Sequence, residues 1–217
     1  MAGTLGEPGQ ELNLAALPGQ QARAAEEAPV RQAATVILLR DGVDGLEVLL
    51  VKRNEQARFM GGVWVFPGGA VDAGDGPDPH RATAVRELDE EASVRLADPA
   101  ALVEFSRWIT PAQVTVRFDT RFFLAAMPDG QAPRVDGREC VALGWFTPRG
   151  ALDAHAREAI LLVFPTIKHL EQLERFATVA ELLDYARELE VRPVQPRVRL
   201  DGEIARILLP GEPGYED

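Results

Sequence analysis

The sequence predicts a mixed-sheet α/β layer fold. Short β-branched and leucine-rich runs bounded by turn residues read as strands, several of them joined as hairpins. Segments with apolar residues at helical spacing lie between and after those strands. Strands with interspersed helices argue for a sheet covered by helices.

The elements follow in order. Residues 1–31 are rich in Ala, Gly, Gln, Glu and Pro without a sustained apolar period, and read as a flexible N-terminal arm. A docking arm in an oligomer is the alternative. "ATVILLR" (34–40) and "LEVLLVKR" (46–53), joined by "DGVDG", read as a hairpin. "VWVF" (63–66) is a third strand, flanked by Gly61-Gly62 and Gly68-Gly69. The second glycine pair reads as a sharp turn. Asp78-Pro79 supplies an N-cap and a first-turn proline for a helix running to about Val94. "LVEFSRWIT" (102–110) is a strand, and residues 114–126 alternate, with Val114, Val116, Phe118, Thr120, Phe122 and Leu124 on one face. "ECVALGWF" (139–146) is a further strand. Pro148 opens a helical stretch, and "PTIKHLEQLERF" and "TVAELLDYARELE" predict two more helices. The last carries a Thr178–Glu181 capping box. The tail "PRVRLDGEIARILLPGEPGY" predicts a short hairpin and a loop.

Composition bounds the function. The chain of 217 residues has 23 basic and 34 acidic residues and a net charge of −11, which argues against duplex nucleic acid as a partner. No apolar stretch approaches the ~20 residues of a membrane span, and no signal pattern opens the chain. A cytoplasmic protein is expected. The single cysteine, Cys140, lies in an apolar context and is expected to be a small buried hydrophobe.

The helix "PHRATAVRELDEEASV" carries the chemistry. Val85, Leu88 and Ala92 share a face that should pack on the sheet, with Glu87, Glu90 and Glu91 on the opposite, polar side. Like charges at these spacings repel by a few tenths of a kcal/mol each. A solvated acidic face is one reading. The other is a divalent-metal site, since carboxylates are hard oxygen ligands for Mg2+ or Mn2+. Arg86 beside them is placed to pair with one acid and orient it.

The stretch from Gly69 to Val94 resembles the Nudix box, G-x5-E-x7-R-E-U-x-E-E-x-G-U, where U is a bulky aliphatic. Gly69, Arg86, Glu87, Leu88, Glu90, Glu91 and Val94 match. Asp75 stands where the first Glu is expected, ten residues rather than seven separate it from Arg86, and Ser93 replaces the last glycine. The resemblance implies a Nudix-type α/β/α sandwich with a mixed sheet over residues 32–175, and a C-terminal helical extension and tail over 176–217. It also implies a metal-dependent pyrophosphatase acting on a small-molecule diphosphate. Glu87, Glu90, Glu91 and the Gly69 carbonyl would hold Mg2+ or Mn2+. Glu87 or Glu90, with Arg86, would serve the chemistry. Asp75 and Gly68 would support the site, with Glu139 as a further candidate base. By analogy, a homodimer is one option for assembly.

Upstream, "LLVKRNEQARFMGGVWVFPGG" (49–69) resembles the signature of coenzyme A diphosphatases within that family. Leu49, Leu50, Arg53, Arg58, Gly62, Phe66, Pro67, Gly68 and Gly69 match in register, whereas Val51 and Asn54 do not. This implies coenzyme A or an acyl derivative as substrate, with Arg53, Arg58, Gly62 and Phe66 in its binding site. ADP-ribose, a dinucleotide or a nucleoside triphosphate remain alternatives, as does a non-catalytic binding module. Trp108, Trp145 and Tyr185 are read either as stacking platforms for a base or as core residues.

Overall fold

The computed structural model describes residues 11–12, 29–57, 60–112, 114, 116–201 and 204–216. Most of the arm predicted over residues 1–31, and Arg58, lie outside these. The strands are β1 (Glu11–Leu12), β2 (Val30–Gly42), β3 (Gly45–Arg53), β4 (Trp64–Val65), β5 (Gly68–Ala70), β6 (Val103–Ile109), β7 (Arg117–Ala126), β8 (Cys140–Phe146), β9 (Pro193–Val194), β10 (Arg197–Asp201) and β11 (Ile204–Leu208). The helices are α1 (Pro79–Ala92), α2 (Pro148–Ala156), α3 (Phe164–Leu173) and α4 (Val179–Arg187).

Strand β2 organises the main sheet, ordered β4-β3-β2-β7-β6-β9. One edge of β2 pairs in parallel with β7, from Val30↔Arg117 to Leu39↔Ala126. Its other edge is shared. Residues Leu39–Gly42 form the predicted hairpin with β3, and Ala33–Thr35 pair antiparallel with β5. Strand β8 lies antiparallel to β3. A parallel β2–β7 pair needs a long crossover, and the connection that carries α1 supplies it.

Alternation along β2 divides the core in two. Ala34, Val36 and Leu38 meet Leu49, Val51 and the Ala84, Leu88 and Ala92 face of α1. Ile37 and Leu39 point the other way, toward Val48, Leu50 and Phe105 and the layer built from α2, α3 and α4. A sheet filled on both faces is an α/β/α sandwich, as expected. Helix α4, assigned from sequence to the C-terminal extension, contributes Val179, Leu182 and Ala186 to this second core. Its N-cap forms, the Thr178 hydroxyl accepting from Glu181 N–H at 3.2 Å, but Glu181 reaches one residue past the cap and accepts from Ala177 N–H at 2.9 Å, so the reciprocal bond of a capping box is displaced.

Three local expectations are corrected. Helix α1 ends at Ala92 rather than Val94, because Ser93 turns left-handed (φ 52°) and its N–H bonds back to Asp89. Strand β7 starts at Arg117 rather than Val114. The hairpin with β6 closes where Thr110 N–H donates to Phe118 O at 2.8 Å. Gly68-Gly69 is a strand held against β2, not a sharp turn. Cys140 is buried as expected. No helix among the described residues is long and apolar enough to cross a membrane.

Candidate active site

The centre of the site is the contact between β5 and α1. Neither Gly68 nor Gly69 has a positive φ, so left-handed backbone is not why glycine stands there. Close approach is. A Cβ on Gly68 would lie 2.4 Å from Thr35 Oγ1 and 2.6 Å from Ala34 O, so only glycine lets β5 sit flush on β2. A Cβ on Gly69 would lie 2.2 Å from Glu87 Oε1. The bare backbone of β5 is therefore a cradle filled by the Glu87 carboxylate.

Glu87 and Glu91 do not lie on a solvated face. They are 9% and 2% exposed, since α1 is covered along two flanks, by the sheet core and by β5. Glu90 alone of the three stays open, its side chain 59% exposed. Gly68 N–H donates to Glu91 Oε2 at 2.9 Å, and Arg53 Nη1 lies 3.8 Å from Glu91 Oε1. Burial pushes the Glu91 carboxyl up to about 7 despite that hydrogen bond. Burial also raises Glu87, against the pull of Arg86.

Arg86 is the hub of the surrounding charges. Its Nη1 donates to Glu87 Oε1 at 2.7 Å and to Glu90 Oε2 at 3.0 Å. Its Nη2 donates to Ala70 O at 3.2 Å. Its Nε and Nη2 reach the two oxygens of Asp75 at 3.3 and 3.4 Å. The aspartate, one methylene shorter than the expected glutamate, keeps the carboxylate–arginine contact because its loop folds in. Asp75 also accepts from the Thr83 hydroxyl at 2.6 Å and from Asp72 N–H at 2.8 Å. The Arg86 guanidinium, then Thr83, hold the Asp75 carboxyl down to about 2.

The donor set suits a hard divalent cation. Glu87, Glu90 and Glu91 supply carboxylate oxygens and β5 a run of bare backbone, and two of the carboxylates are buried at a cost that a cation would offset. Among the described residues, no three acidic, histidine or cysteine side chains stand together as a ready ligand group. Glu87 and Glu90 are instead turned onto Arg86, which supplies the positive charge in this arrangement.

Beside these residues lies a cavity of about 480 Å³, within the range of small-molecule sites. Arg53, Gly68, Gly69, Glu87, Glu91 and Glu139 line it. So does Phe66, at the end of the predicted third strand. Gly62 turns the preceding loop with φ 77°. The Nε of Arg53 is buried without a hydrogen-bond partner. Glu90, Arg86 and Gly62 are not among the lining residues.

Several lining groups escaped the sequence reading. Phe164 and Val198 carry no local signature of a site, and Phe118 and Phe122 show in the sequence only as one face of an alternating strand, whereas Trp108 is a candidate platform there. Trp145 instead lies under the Arg40 guanidinium, 4.3 Å away, and Tyr185 pairs with Phe176. Ser106 Oγ lies 2.6 Å from His169 Nε2, but this pair is not a nucleophile and base. His169 is 1% exposed, its Nδ1 faces Pro165 O, and burial lowers it to about 4.

A model of the NUDIX domain family matches residues 29–163. Among similar proteins is the "Peroxisomal coenzyme A diphosphatase ndx-8" of Caenorhabditis elegans, 36% identical over 104 residues, covering 44% of this chain and 44% of the relative. Another is the "Acyl-coenzyme A diphosphatase NUDT19" of Xenopus laevis, 34% identical over 86 residues, covering 38% of this chain and 23% of the relative. The chain thus spans less than half the length of either. The crystal structure of a NUDIX hydrolase from Alicyclobacillus acidocaldarius superposes with a TM-score of 0.65 at 28% identity, covering 73% of this chain and 97% of the other. The family match covers more than half of the chain, including both β5 and α1, and the chain belongs to the NUDIX domain family.

Proposed function

We propose that this protein is a divalent-metal-dependent pyrophosphatase that hydrolyses the diphosphate of coenzyme A or an acyl-coenzyme A. The observation that carries the proposal is the pair of buried carboxylates, Glu87 and Glu91, seated on the bare backbone of β5 at the wall of a ligand-sized cavity. Glu87, Glu90 and Glu91, with the Gly69 carbonyl, would hold Mg2+ or Mn2+. When bound, the metal supplies charge neutralisation for the phosphates and a water of lowered pKa.

The chain's own residues do the rest. Arg86 fixes the Glu87 carboxylate against β5 and is itself fixed by Asp75. Arg53, next to Glu91, offers guanidinium donors to a phosphate, and its unpartnered Nε favours an added acceptor. Arg58 is assigned to the same task on its place in the coenzyme A signature. Glu87 or Glu90 takes the proton of the attacking water. Glu139 is the alternative base, its backbone held by Asp136 and Asn54 and its side chain at the cavity wall. The water oxygen forms a new bond to phosphorus, the anhydride bond breaks, and the leaving phosphate departs. The names of the two coenzyme A diphosphatase relatives support the substrate class, and the apolar part of the cavity suits a pantetheine or acyl chain. The reading also carries a cytoplasmic location, with a homodimer as one option for assembly that light scattering checks.

Glu87→Gln and Glu91→Gln test the site. Each is expected to lower turnover of coenzyme A by two or more orders of magnitude at saturating Mg2+. Retained activity in both variants would remove these carboxylates from the reaction.

A further inference from the structure

The proposed chemistry uses the α1 and β5 side of the cavity, and part of the cavity's apolar surface belongs to another wall. That wall comes from the C-terminal hairpin, which contributes Pro196, Val198 and Ile207. Val198 and Ile207 are direct cross-strand partners in the β10–β11 pair. Residues directly opposite in an antiparallel pair share one face, so both present apolar surface to the cavity. The alternate residues Arg197 and Arg199 are exposed. The hairpin thus turns Val198 and Ile207 toward the cavity and Arg197 and Arg199 away from it.

The hairpin is fastened at its base. Strand β9 pairs with the main sheet at Arg107 and Trp108. Tyr215 O–H donates to Gln195 O at 2.8 Å, and the Tyr215 ring lies 4.7 Å from the Arg197 guanidinium. The "LPGEPGY" tail therefore acts as a clasp. The sheet and α3 add Trp108, Phe118, Phe122 and Phe164 to the lining. Hydrolysis of a diphosphate needs no such apolar surface. Its burial is rewarded only by an apolar group on the substrate.

We propose that the C-terminal hairpin is a specificity-determining wall of the site. Val198 and Ile207 select diphosphate substrates that carry an extended apolar chain over those that end in a polar group. The inference rests on the pyrophosphatase reading.

The test compares kcat/KM for octanoyl-coenzyme A, free coenzyme A and ADP-ribose in the full chain and in the Val198→Ser/Ile207→Ser double variant, with folding checked by circular dichroism. The full chain is expected to favour octanoyl-coenzyme A over coenzyme A by at least about 10-fold, the low end of what one methylene contributes in an apolar pocket. The double variant is expected to bring that ratio close to one. Tyr215→Phe, which keeps the ring and removes the hydroxyl clasp, should lower the ratio in the same direction and serves if the double variant does not fold. An unchanged ratio in the variants, or no preference in the full chain, overturns the inference and leaves the pyrophosphatase reading standing. Hydrolysis of ADP-ribose alone also overturns it. No hydrolysis of any of the three defeats the reading and the inference with it.

Discussion

Gly69→Ala separates catalysis from stability at a single atom. The added Cβ would lie 2.2 Å from Glu87 Oε1 and 2.4 Å from its Cδ, whereas ordinary contact begins at 3.4 Å. The carboxylate must therefore move by about 1.2 Å, the difference between 3.4 and 2.2 Å. What gives way is the far end of a side chain, so the fold should lose no more than about 1 kcal/mol. Displacement of about 1 Å in a positioned catalytic group costs roughly 100-fold in rate. Gly68→Ala is the matched control. Its Cβ would meet backbone, Ala34 O at 2.6 Å and Thr35 Cα at 2.8 Å, and backbone in a sheet cannot swing aside. Overpacking of that kind costs about 1–3 kcal/mol, or roughly 2–12 °C in Tm for a chain of this size. Steady-state turnover of coenzyme A and thermal melting, measured on both variants, read the two effects. A Gly69→Ala protein with kcat within twofold of wild type would refute the argument that β5 exists to seat Glu87. So would a Gly69→Ala melting point as low as that of Gly68→Ala.

Two further predictions concern the ends of α1. Asp75→Asn should destabilise the protein at neutral pH by weakening the contact with Arg86. Because the folded-state carboxyl is lowered to about 2 from 3.8, its stabilisation is present above about pH 4 and lost as pH falls toward 2. Melting curves of wild type and variant should therefore converge over that window, and a constant gap down to pH 2 would contradict the assignment. Ser93→Gly should stabilise the protein by about 0.5–1 kcal/mol, since the left-handed φ of 52° costs a side-chain-bearing residue about 1–2 kcal/mol and glycine returns part of that gain as chain entropy. Chemical denaturation measures it, and a loss of stability would show that the Ser93 side chain matters for another reason.

What was legible in the sequence was local. The hairpin of β2 and β3, the start of α1 at Asp78-Pro79 and the Thr178 cap of α4 each depend on residues a few positions apart, and all three form. The spacing of Arg86, Glu87, Glu90 and Glu91 identified the family because it is fixed by one helix. What was not legible depends on distant partners. Strand β5 has three residues, two of them glycine, and is a strand only because β2 offers it an edge. Glu87 and Glu91 look polar along the helix, yet β5 covers the flank that the spacing of Val85, Leu88 and Ala92 assigns to water. The apolar runs of α4 and of the C-terminal hairpin carry no mark of which surface they meet. One packs into the core behind the sheet and the other lines the cavity.

The most direct measurement is product identification by mass spectrometry after incubation of the full chain with coenzyme A and Mg2+ or Mn2+, with and without a chelator. The account predicts adenosine 3′,5′-bisphosphate and phosphopantetheine in equal amounts, formed only when the metal is free to bind. Intact coenzyme A in the presence of metal, with ADP-ribose or a nucleoside triphosphate cleaved in parallel, would contradict it.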